Sequence, residues 1–206
     1  MDKDMLRQRQ FIGIMGAILP IAIWISAGVF GGHGFFLPSI SATYYMNSVA
    51  IFMMLMGAAS VFLIFYQGYD LTDARISKIA GVGGLVLSLF PVSYGSTVHN
   101  FLQLPMYITN VLHLTGAIMF FAGISWMMLF QFTKSAKDIE KGSRKALRNK
   151  IYKVCGITMI AGLIAGFGGA RIFGFSPCIY FGEAIALWAF GVGFLVKGNV
   201  LLKDLK

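Results

Sequence analysis

Long apolar stretches recur along this chain at residues 11–31, 48–66, 79–94, 111–132, 151–173 and 179–201. A helix needs about 20 mostly apolar residues to cross the hydrocarbon core of a bilayer, so the pattern predicts six membrane-spanning helices. The third stretch is the shortest and carries Pro91 near its end. Only a short turn, 174–178, separates the last two, which predicts a tight helical hairpin. Composition argues the same way. The 206 residues are 57% apolar and 12% charged, whereas soluble domains carry about 25% charged residues. So little charge cannot cover so much apolar surface in water. A cytosolic enzyme, a disordered tail and a secreted disulfide scaffold are excluded. No alternation of period 2 marks a membrane barrel, and the first stretch is too long for the apolar part of a cleaved signal peptide.

Charge gives an orientation, because Lys and Arg stay on the cytoplasmic side of a membrane. With six spans, only Arg171 and Glu183 fall on the outer side. Every other charged residue shares the opposite side, which then carries the whole net charge of +9. The expected class is all-α: a polytopic six-transmembrane-helix bundle, N-in and C-in, forming a single integral membrane domain over 1–206. The basic run that begins at Lys134 and reaches Lys153 is read as a topology determinant resting on anionic headgroups. It lacks the interleaved aromatics that nucleic-acid stacking requires, so no nucleic-acid partner is expected. Cys155 and Cys178 lie about 34 Å apart along one helix, too far to bridge.

Lipid gives helices no hydrophobic reason to associate, so small residues that allow close approach supply the packing. Gly162 and Gly166, with the row Ala161, Ala165 and Gly169, mark such a face on the fifth span; Gly81, Gly83 and Gly84 mark one on the third. Gly168 and Gly169 are expected to loosen the fifth helix. A homo-oligomer built on the Gly162/Gly166 face is the minority reading.

The outer side is nearly uncharged yet rich in polar groups. Its first loop carries His33, Ser39, Ser41, Tyr44 and Tyr45, and its second carries His99. His113 sits one turn into the fourth span, Arg171 closes the fifth, and Glu183 is one turn into the sixth. An intramembrane carboxylate is a functional-site hypothesis by default, with Arg171 or His113 as the expected partner of Glu183. Glu183 heads an inward stripe through Ala186, Phe190, Gly193 and Lys197. Lys197 is about 21 Å away, too far to pair with Glu183, and is expected to snorkel to the cytoplasmic interface. At the first cytoplasmic turn Asp73 is available for Arg75 or Lys78. Three imidazoles, or two and a carboxylate, can hold a catalytic zinc, which makes His33, His99 and His113 the metal candidates. No His-x-x-x-His spacing forces them together.

Four blocks carry a resemblance: Ser39-x-Ser41-x-x-Tyr44-Tyr45, Tyr66-Gln67-Gly68-Tyr69-Asp70, the segment from Arg148 through Tyr152 to Cys155-Gly156, and the segment from Glu183 to Lys197-Gly198. On these the chain resembles an uncharacterised family of small bacterial six-helix integral membrane proteins. Its topology is remotely similar to that of the Frag/DRAM/Sfk family, some members of which are linked to lipid-anchor remodelling or lipid handling. Ala42 and Thr43 stand where that family's loop has an acidic residue, and no catalytic residue carries over. The resemblance implies a multi-pass protein of a bacterial inner (plasma) membrane with a lipid-related role.

The leading expectation is a pocket facing the outer leaflet that binds a polar or lipidic ligand. Glu183 and His113 would be its buried anchors, Arg171 would meet an anionic headgroup, and Ser39, Ser41, Tyr44 and Tyr45 would form a lid. Two alternatives stay open: an oligomeric channel or transporter with Glu183 and Lys197 in a polar path, and a metal-dependent lipid or amide hydrolase using His33, His99, His113 and Glu183.

Overall fold

The computed structural model describes residues 3–94, 101–135 and 142–203. Six α-helices build the fold: α1 (Lys3–Ile23), α2 (Val49–Ile64), α3 (Leu71–Leu89), α4 (Met106–Trp126), α5 (Arg144–Phe173) and α6 (Pro177–Lys197), with no strand among the described residues. Among the described residues four helical stretches are long and apolar enough to cross a membrane: α1 with its extension to Phe30, α4 with its extension to Gln131, α5 and α6. α2 is apolar but has 16 residues, and α3 carries Asp73, Arg75 and Lys78 in its first turns.

Local chemistry explains where the helices depart from the apolar stretches. α3 starts at Leu71, well before residue 79, because the Asp70 carboxylate caps it by accepting from the Asp73 amide at 3.0 Å. It stops at Leu89 because Phe90 precedes Pro91 and is held extended, at φ −110° and ψ 118°. α5 starts at Arg144, where Ser143 accepts from the Ala146 amide at 3.2 Å. It runs unbroken through Gly168 and Gly169 to Gly174, whose φ of 63° ends it. At 30 residues the helix is about 45 Å long, so its basic first turns reach past an apolar core of about 30 Å. α1 passes through Pro20 and then widens into a π-helical segment over Trp24–Phe30. The Pro20 carbonyl meanwhile accepts from the Tyr180 hydroxyl at 2.6 Å.

The helices form a ring. α1 packs on α2 and α6, α3 on α2 and α4, and α6 on α5. Glycines bring backbone against backbone at several of these crossings. A Cβ on Gly83 would stand 2.7 Å from the Gly116 carbonyl oxygen, and one on Gly116 would stand 2.6 Å from that of Gly83. Likewise a Cβ on Gly182 would stand 2.4 Å from the Gly162 carbonyl oxygen and 2.8 Å from the Gly166 Cα. α4 and its extension close the ring against α5. They meet where Gly156 fits against Leu129 and the Ser125 carbonyl.

Long-range bonds gather alternate helix ends at one end of the bundle. Gln8 Nε2 donates to the Phe62 carbonyl at 2.6 Å, Gln10 Nε2 to that of Gly198 at 2.8 Å, and Arg148 Nη2 to that of Val196 at 3.1 Å. Lys134, just past α4, reaches Asp70 at 2.6 Å and Asp73 at 2.9 Å at the start of α3. Cys155 and Cys178 are both free thiols.

Candidate functional site

The seam between α4 and α5 encloses a cavity of about 830 Å³, inside the range of small-molecule sites. Its walls are almost wholly apolar, from Phe52 and Met56 of α2, Ala117 and Phe121 of α4, Leu163 of α5 and Leu187 of α6. The mouth is rimmed by Leu114, Ile118, Trp126, Ile160, Ile164 and Phe167, all exposed. From His113 to Trp126 the lining follows α4 for about 20 Å, more than half the thickness of a hydrocarbon core. Most polar groups stand at one end, Ser39, Ser41, Ser93, Tyr94, His113, Ser176 and Glu183, while Ser125 lies farther down.

That polar end is built by the loop before α2. The Glu183 carboxylate accepts the Ile40 amide at 2.6 Å. Ser39 Oγ accepts from the Ala42 amide at 2.9 Å, and Thr43 Oγ1 donates to the Ile40 carbonyl at 2.5 Å. The loop therefore presents its own backbone to the carboxylate. His113, 3% exposed, is hydrogen-bonded on both ring nitrogens: Nδ1 lies 2.7 Å from the Phe90 carbonyl and Nε2 lies 2.9 Å from Ser41 Oγ. Tyr45 ties the loop to the far side of the site, donating to the Val92 carbonyl at 2.7 Å. The Tyr44 and Tyr45 rings meet edge to face. Burial pushes the pKa of both phenols up from the ordinary value, so they are hydrogen-bond donors at any physiological pH.

Of the residues singled out in the sequence, Glu183, His113, Ser39 and Ser41 meet around one cavity. Tyr44 and Tyr45 brace its loop without lining it. Arg171 does not join them. It is exposed, it is absent from the cavity wall, and among the described residues no ion pair links it to Glu183. A guanidinium with water in reach stays hydrated, and a backbone amide satisfies the carboxylate instead. His33 is exposed, and His99 lies outside the described residues. Among the described residues no three His, Cys, Asp or Glu come close enough together to hold a metal ion.

Lys197 is the largest departure from the sequence reading. It does not snorkel: it is 3% exposed, with Nζ 4.5 Å from the Tyr69 ring centre, 4.9 Å from that of Phe132 and 5.7 Å from that of Tyr152. Nζ also donates to the Tyr69 hydroxyl at 3.2 Å. Aromatic rings therefore surround the amine where water would meet a snorkelling lysine. Between it and Glu183 the interior is packed by edge-to-face contacts linking Phe120, Phe190, Phe194 and Phe132. Asp73 was expected to meet Arg75 or Lys78; it instead accepts from Lys134 and from the Tyr69 amide at 2.7 Å.

This clasp yields a pH prediction. The hydrogen bond from Lys134 holds the pKa of the Asp70 carboxyl below its ordinary 3.8, and the bonds to Asp70 and Asp73 raise that of Lys134 above its ordinary 10.5. A lowered acid stabilises the fold above its unfolded pKa and loses that contribution as pH falls through the folded value. A raised base stabilises below its unfolded pKa and loses the contribution as pH rises through the folded value. The melting-temperature gap between wild type and Lys134→Met should therefore be flat from about pH 5 to about pH 9, and should shrink toward either extreme. A gap that varies across the middle of that window would contradict the assignment.

Comparison with family models, with curated proteins and with solved structures finds no match to this chain.

Proposed function

We propose that this chain is a six-span protein of a bacterial inner membrane, with both ends cytoplasmic, that binds a lipid through the seam between α4 and α5. The cavity carries the reading: an apolar slot with an exposed apolar rim and most of its polar groups at one end has the polarity of a lipid. An acyl chain would lie along α4 and α5, and the head would meet Ser41, His113 and Glu183. The charge distribution supports the orientation, because the bonded helix ends carrying Lys134, Lys145 and Arg148 lie opposite the end that holds Glu183. Binding is preferred to conduction because aromatic rings fill the interval between Glu183 and Lys197.

Native mass spectrometry of the detergent-purified protein tests the proposal by counting retained lipid. Ala117→Trp fills the slot and should abolish retention. Glu183→Ala should lower it about tenfold or more, the worth of a charge-assisted hydrogen bond. Lys150→Ala, at the exposed basic end, should leave it unchanged. Equal losses in all three variants would overturn the reading.

A further inference from the structure

The hydrogen bonds of His113 assign its tautomer. The Phe90 carbonyl can only accept, so Nδ1, 2.7 Å away, carries the proton. Nε2 is then a bare lone pair, and the Ser41 hydroxyl at 2.9 Å must donate to it. A hydroxyl donating to an imidazole, whose other nitrogen is fixed by a third group, is the arrangement of an activated nucleophile and its base. Here a backbone carbonyl fills the third role. Ser41 is half-buried and both side chains line the cavity, so the hydroxyl faces the space assigned above to a lipid. Ser39 and Ser93 also line the cavity, but their recorded bonds are local: Ser39 to the Ala42 amide, and Ser93 through its own amide to Asn110.

We propose that Ser41 is the nucleophile and His113 the general base of an acyl-transfer site acting on the ester of a lipid bound in the α4–α5 slot. The inference rests on the lipid-binding reading for its substrate class. Ser41 Oγ adds to the ester carbonyl carbon while its proton passes to His113 Nε2. The tetrahedral adduct then collapses, the bond from the carbonyl carbon to the alcohol oxygen breaks, and Nε2 returns the proton to the departing alkoxide. Water completes the cycle: His113 takes its proton, hydroxide adds to the Ser41 ester, and the fatty acid leaves as Oγ regains the proton. The oxyanion of each adduct needs N–H donors. The one in place is the Ile40 amide, which Glu183 holds at rest, so Glu183 yields it as the carbonyl arrives.

The full chain, monodisperse in detergent, is treated with an alkyl fluorophosphonate and mapped by peptide mass spectrometry. A single adduct on Ser41 is expected, absent in Ser41→Ala and equal to wild type in Ser135→Ala. In His113→Gln, which keeps a polar side chain but cannot take the proton, adduct formation should slow by about 10²- to 10⁴-fold. Cleavage of p-nitrophenyl octanoate gives a second readout and should fall with the same variants. No adduct on the wild type, an adduct elsewhere, or indifference to His113→Gln would each overturn the proposal. Retained lipid is counted on the same samples. Lipid without an adduct overturns acyl transfer and leaves binding standing, whereas an adduct on Ser41 without lipid upholds the nucleophile and overturns the lipid reading.

Discussion

Gly182→Leu is expected to prevent α5 and α6 from docking and to leave no folded protein in detergent. At Gly182 an added Cβ meets the Gly162 carbonyl oxygen at 2.4 Å and the Gly166 Cα at 2.8 Å. Both are backbone atoms, which cannot rotate aside as a side chain can. Even Gly182→Ala should destabilise by about 1–3 kcal/mol, the usual range for overpacking. The effect belongs to the crossing and not to glycine as such. A Cβ at Gly168, in the same helix pair, meets nothing within 4 Å. Gly168→Ala should therefore be neutral or stabilising by up to about 1 kcal/mol, since alanine restricts the unfolded chain more than glycine does. Thermal melts of the three variants decide the matter. Because Gly166 and Gly182 share one contact, Gly166→Ala and Gly182→Ala should combine non-additively. Equal losses at Gly168 and Gly182 would mean that the helices do not cross here.

Asp73→Ala should cost about 3 kcal/mol, near the low end for removing one partner of a buried ion pair, because Lys134 remains partly hydrated. Asp73 is 2% exposed and does two jobs at once. It accepts the Tyr69 amide and pairs with Lys134. Losing it strips the turn before α3 of an acceptor and leaves Lys134 with Asp70 alone. Asp73→Asn keeps an acceptor for the Tyr69 amide and should cost less. If Asp73→Ala melts with wild type, the buried basic end is held by packing alone.

Glu183 was legible in the sequence because it heads an inward stripe of small and aromatic residues at helical spacing, and His113 because it lies within an apolar span. Gly116 and Phe120 are buried beneath His113, and Ala186, Phe190 and Gly193 beneath Glu183. Ser41 was visible only as one polar residue among many in an outer loop. Nothing in a linear pattern distinguishes it from Ser39. The choice is made by the turn that aims one hydroxyl at His113 and folds the other back on the Ala42 amide.

Hydropathy and charge by themselves determine that this chain is helical and apolar, that helices alternate with short connections, and that the basic residues collect at one end. These follow from transfer free energies, which add along a sequence and need no partner. Tertiary structure decided what each polar group touches. Arg171 lies a short turn before Glu183 in the chain, yet it stays exposed, while the Ile40 amide from a loop more than a hundred residues away takes the carboxylate. Lys197 ends a helix as a snorkelling lysine would, yet three rings, from the α2–α3 turn, the end of α4's extension and α5, enclose it. A hydrogen bond or a cation–ring contact is short and directional, so it depends on where the ring of helices brings distant residues together, and the order of the residues alone does not contain it.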